Sequence, residues 1–65
     1  MTVIEMNELL RLFNYRHLPE PYQEVSKQFY DLAHRLAQTL PRNRELTKAL
    51  DRLLEAKDAA VRSAV

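Results

Sequence analysis

The residues best equipped for chemistry lie close together near the start of the chain: Phe13, Tyr15, Arg16 and His17. Aromatic faces stack nucleobases, and a guanidinium grips phosphate through paired hydrogen bonds. An imidazole adds a further hydrogen-bonding group. Packing roles are the plainer reading of these residues, with Phe13 in a core and Tyr15 closing the end of a helix pair. The remaining polar residues are scattered. Ser26 or Ser63 as a nucleophile would need His17 or His34 as its base, and no spacing in the chain joins them. His34 follows Leu32 by two residues, which points it toward solvent or an interface. Asp51 and Glu55 share a helix face, which suits a metal or, as a plainer reading, leaves two solvated carboxylates. Arg42, Arg44, Lys48 and Arg52 recur at near-helical spacing and could touch phosphate. No catalytic constellation emerges. The chain is expected not to be an enzyme and to use no metal or cofactor.

Composition narrows the classes further. The chain has 65 residues, no cysteine and no glycine. A chain so short buries only about 60% of the surface its unfolded form exposes, so it needs reinforcement. Without cysteine there is neither a disulfide nor a cysteine-based zinc site, which leaves self-association. Without glycine there is no Walker phosphate loop, dinucleotide-binding fingerprint or nucleophile elbow. Ten basic and nine acidic residues give a net charge of +1, a weak field for general DNA binding. With 46% hydrophobic and 29% charged residues, the chain reads as globular. No apolar run approaches the roughly 18 residues of a membrane span, and the start lacks a signal-peptide layout. The expectation is a soluble, intracellular protein with no membrane partner.

These residues must be positioned by helices. Prolines at 19, 21 and 41 divide the chain into three pieces. In the first, residues 2–14, Thr2 and Glu5 have capping-box spacing. Met6, Leu9, Leu10 and Phe13 then fall at helical spacing, with Val3, Ile4 and Leu12 widening the stripe. Residues 15–20 form a connector in which Leu18 and Glu20, each before a proline, should be extended. Pro21 suits the first position of a helix over 21–40, where Tyr22, Val25, Phe29, Leu32 and Leu36 make a heptad seam. Asp31 and Arg35 are spaced for an ion pair on that helix. Asn43 is a good cap for a helix over 44–64, in which Leu46, Ala49, Leu53, Ala56 and Ala60 form a second seam. Leu50, Leu54 and Val61 widen it, and Asp58 pairs with Arg62. The short connection predicts an antiparallel hairpin of the two long helices. Ala49, Ala56, Ala59, Ala60 and Ala64 would let another helix approach closely. The predicted fold is thus all-α, one domain over residues 1–65, with a short N-terminal helix and a two-helix hairpin. Its apolar surface exceeds what three helices can hide, so it should assemble as a homo-oligomeric helical bundle.

Several of these elements together resemble a known family. They are Phe13-Asn14-Tyr15-Arg16-His17, the helix bearing Phe29, Leu32, Ala33 and Leu36, and then Leu40-Pro41 and Glu45. The run from Ala49-Leu50 through Leu53-Leu54-Glu55-Ala56 to Ala59 completes them. Across residues 13–64 the chain resembles the small helical-hairpin domain shared by phage anti-CBASS and anti-Thoeris proteins. The resemblance implies a non-enzymatic sponge that sequesters cyclic di- or trinucleotide immune signals between subunits, as hexamers in the anti-CBASS case. It implies a site of action in the cytoplasm of an infected bacterial cell. It also implies that Tyr15 stacks a base with Phe13 behind it, that Lys27 contacts phosphate, and that Arg62 serves a second pocket. The family's tyrosine–histidine adjacency is interrupted here by Arg16, which stands with His17 as a candidate contact.

Two other readings follow from the residues alone. One is a helical-hairpin module that pairs with itself or another protein through its alanine seam. The other is a small DNA-binding regulator that uses Arg42, Arg44, Lys48 and Arg52.

Overall fold

A computed structural model describes residues 3–64, with side-chain surroundings from residue 6 onward. The Thr2–Glu5 capping box and the contributions of Val3 and Ile4 lie outside the described residues. The described chain is all-helical: α1 is Val3–Arg11, α2 is Glu20–Thr39 and α3 is Arg44–Ser63. No helix among the described residues is long and apolar enough to cross a membrane. The longest dimension is 34 Å. A 20-residue helix is about 30 Å long, so α2 and α3 lie side by side and not end to end.

Each boundary has a local cause. α1 stops at Arg11, and the amides of Leu12, Phe13 and Asn14 fold back onto the carbonyls of Leu9, Leu10 and Arg11 at 3.0–3.1 Å. Pro19, extended with ψ 147°, caps α2, and its carbonyl accepts from the amides of Tyr22 and Gln23. Glu20 is therefore helical, against the expectation that it is extended, and Pro21 sits at the second helical position. The missing proline amide costs nothing there because first-turn amides have no intrahelical partner. The Glu20 carboxylate also suits the positive end of the helix dipole. Leu40 is extended, with its amide on the Leu36 carbonyl, and Pro41 prevents continuation. α3 opens on Asn43, whose Oδ1 accepts from the Leu46 amide at 3.0 Å.

The core is Met6, Leu10 and Phe13 from α1 and its following turn, Ala33 and Ala37 from α2, and Leu46 and Leu50 from α3. Phe13 and Leu50 are fully enclosed. On α2 the innermost residues are the small ones, Ser26, Ala33 and Ala37. Ala33 and Ala37 share the buried cluster with Leu46 and Leu50 of α3. Phe29, Tyr30 and Leu36 pack to either side, partly buried. Both expected seams are thereby corrected. Counting 100° per residue, α2 is turned by roughly 80° from the seam centred on Val25, Phe29 and Leu36. Leu32 is left 41% exposed. On α3, Ala49 and Ala56 of the expected seam are exposed and Leu50 lies at the centre. Periodicity weighs large apolar residues, whereas closest approach selects small ones. Leu12 is also exposed, at 55%, because the chain leaves the helix there and Phe13 takes the inward position.

Few polar links cross between the helices. The Lys57 ammonium, on a side chain only 12% exposed, donates to the Leu12 carbonyl at 3.2 Å and pairs with Asp58 at 3.0 Å. It thus ties α3 to the end of α1 and satisfies a carbonyl that the helix leaves open. Among the described residues the ion pairs are this one and Arg52–Glu55 at 3.3 Å. The expected Asp31–Arg35 and Asp58–Arg62 pairs are not formed among them. Asp58 turns to its neighbour instead.

Among the described residues Ser26 is the buried side chain left unsatisfied: its hydroxyl is fully enclosed and has no hydrogen-bond partner. Such a group costs about 1–3 kcal/mol. Ser26→Ala should therefore stabilise the fold by on the order of 1 kcal/mol, raising the thermal midpoint by roughly 4–8 °C. A lower midpoint by circular dichroism would show that the hydroxyl is satisfied after all.

Candidate functional site

The connector between α1 and α2 has no helix of its own, yet its backbone is held at several points. Asn14 Oδ1 accepts from the Arg16 amide at 3.1 Å. The Leu18 amide closes a turn on the Tyr15 carbonyl at 3.0 Å. From the first turn of α2, Gln23 Nε2 donates to the Leu18 carbonyl at 2.8 Å and reaches the Arg16 carbonyl at 3.4 Å. Phe13 anchors the start of the segment in the core.

This frame presents a row of three rings. Tyr15, half-buried, meets Tyr30 edge-on, with centroids 5.3 Å apart and planes at 77°. Tyr30 in turn lies 4.2 Å from His34 at 40°. Tyr30 and His34 are four residues apart on α2 and so share one face of it.

Beside the rings a groove of about 340 Å³ opens between the end of α1, the connector and α2. Asn7 and Arg11 line it from α1, Asn14 and Arg16 from the connector, and Tyr30 and His34 from α2. No carboxylate among the described residues lines it. Neither guanidinium has an ion-pair partner among the described residues. A second hollow, about 220 Å³, sits by the α2–α3 turn against Leu40, Pro41, Leu46 and Ala49. Its walls are almost wholly apolar.

The six expected ligand residues end up in different places. Arg16 lines the groove and Tyr15 packs on its Tyr30 wall. Phe13 is fully enclosed, so it can support the connector from beneath and cannot touch a ligand. His17 is exposed and lies outside the groove lining. Lys27 is exposed on α2, one heptad before His34 and thus on the same helical face. Arg62 is exposed in the last turn of α3. Within one subunit, then, neither Lys27 nor Arg62 joins the groove. His34 is half-buried against Tyr30, not simply solvent-facing. Arg11, Asn14, Tyr30 and His34 were not among the expected ligand residues, although the i,i+4 spacing of Tyr30 and His34 is a usable signal. Among the described residues no group of three or more histidines and carboxylates is placed to hold a metal.

Gln23 holds the connector without lining the groove, so its removal isolates the frame. Gln23→Ala should remove about 0.5–1.5 kcal/mol of local stability, up to roughly tenfold in amide-exchange protection at Leu18. Exchange measured by NMR checks this, and unchanged protection there would mean the turn stands without Gln23.

No protein-family model matches the chain, no curated protein matches it, and no solved structure matches it.

Proposed function

We propose that the chain is a non-enzymatic binder that sequesters cyclic di- or trinucleotide signals between the subunits of a homo-oligomer. This is the function implied by its resemblance to phage anti-CBASS and anti-Thoeris proteins, acting in the cytoplasm of an infected bacterial cell. The observation that carries the reading is the ordered connector, where the partly exposed Tyr15 ring is braced by Tyr30 and flanked by Arg16. A braced ring loses little entropy when a base stacks on it, and an adjacent guanidinium suits the neighbouring phosphate. Lys27 and Arg62, both exposed, would come to such a ligand from other subunits.

The assembly follows from the side of the helices that α1 leaves open. In this reading α2 and α3 form an antiparallel hairpin, with α1 over the flank that carries Tyr30 and His34. On the opposite flank stand Val25, Phe29, Leu32 and Leu36 of α2 together with Ala49, Leu53, Ala56 and Ala60 of α3. Leu32 and Leu40 are large apolar side chains more than 40% exposed. A second copy covering this face would bring separate connectors and cations into range of one ligand; a hexamer is the family's precedent. The same open face supports a second reading, a module that docks a different protein. The DNA reading is weaker: Arg42, Arg44 and Lys48 are exposed, but Arg52 is drawn to Glu55.

Thermal unfolding with a panel of cyclic di- and trinucleotides tests the proposal. A ligand at 100 times its Kd adds about 2.7 kcal/mol, which moves the midpoint of so small a domain by roughly 10–20 °C. Tyr15→Ala should weaken binding by about 1–3 kcal/mol per stacked base. A flat response across the panel would favour the protein-docking reading, and full-strength binding by the variant would mean that the pocket is not at Tyr15.

A further inference from the structure

We infer that the groove between α1, the connector and α2 is an anion site within a single subunit, built for the phosphate of a small ligand of about mononucleotide size. The chain carries ten basic and nine acidic residues, yet the groove collects Arg11 and Arg16 and, among the described residues, no carboxylate. In a nearly neutral chain such segregation creates a local positive potential that the net charge does not reveal.

Hydrogen-bonding capacity points the same way. Asn14 Oδ1 is occupied by the Arg16 amide, which fixes the orientation of that carboxamide and leaves its NH2 group as a donor. Two guanidiniums supply further donors in a planar fork that matches phosphate oxygens. The turn holds Asn14 and the Arg16 backbone together, so part of the donor set is ordered in advance. Preorganised donors are what an anion site needs, because less order has to be imposed on binding.

A helix C-terminus beside the site would ordinarily repel an anion. Here the last carbonyls of α1 are engaged. Leu9, Leu10 and Arg11 carbonyls accept from the following turn, and the Leu12 carbonyl accepts from Lys57. The volume of about 340 Å³ falls at the small end of the roughly 300–1,000 Å³ typical of ligand sites. A phosphate with one attached ring fits that scale, the organic part lying on the Tyr30–His34 wall. The site needs only one subunit, so it stands whether or not subunits share a cyclic ligand.

Inorganic pyrophosphate and adenosine 5′-monophosphate serve as separate probes in NMR titrations of the intact chain at fixed ionic strength. The account expects saturable shifts at Asn7, Arg11, Asn14, Arg16 and His34 with at least one of them. The double variant Arg11→Gln with Arg16→Gln should bind at least tenfold more weakly. Arg42→Gln with Arg44→Gln should bind as the parent does. Both pairs are exposed, and circular dichroism confirms that each variant stays folded. Absence of saturable shifts, or equal weakening in the two double variants, would overturn the site. Tyr15→Ala lies outside the groove lining, so loss of cyclic-nucleotide binding there with groove binding intact would separate the two sites.

Discussion

The shared buried cluster of Ala33 and Ala37 on α2 with Leu46 and Leu50 on α3 governs the rest of the molecule. The buried positions of α2 are all small, Ser26, Ala33 and Ala37, while those of α3 are leucines. That contact sets how far each long helix is rotated about its own axis. Rotation then decides which side chains meet α1 and which are left outside. A larger residue at Ala33 would separate the helices and undo the arrangement at its centre. The buried Ser26 hydroxyl has no partner, and alanine would keep that position small without it.

The groove inherits its geometry from this core. Met6, Leu10 and Phe13 pin α1 and the following turn onto α2 and α3, so the chain enters the connector at a fixed point. Tyr30 lies between core and surface, with Tyr15 on one side and His34 on the other. Arg11 and Arg16 lie on either side of the buried Phe13, on segments whose backbone is bonded in place. Their head groups remain in solvent while their backbones are ordered. Lys57, from the far helix, closes the end of α1 and leaves the arginines to face outward.

Much of this was legible in the residues, and the misses share a cause. The three helices, the stop at Pro41, the Asn43 cap and the inward positions of Met6, Leu10 and Phe13 follow from local rules. The chain itself carries the information for each of them. The seams of α2 and α3 did not follow, because which face turns inward depends on what a distant helix brings. Large apolar residues dominate a periodicity count, and here Ala33 and Ser26 decide the contact. Glu20 entered the helix because the Pro19 carbonyl organises the first turn, an influence stronger than the proline that follows. The ring row was half visible: Tyr15 and Arg16 stood out, whereas Tyr30 and His34 are unremarkable until α2 lies beside the connector. Phe13 was read both as core and as support for a ligand site, and its complete burial fits only an indirect part in binding.

Under the proposed function, the flank that α1 does not cover would link fold to function, since capture between subunits would require subunits to meet. Sedimentation equilibrium of the purified chain and of Leu32→Glu tests that link most directly. Leu32 is 41% exposed, so the substitution leaves the interior of the subunit intact. The account predicts a parent mass that is a multiple of the 65-residue chain and a fall toward the single chain in the variant. A parent that stays a well-folded single chain at every concentration would contradict it.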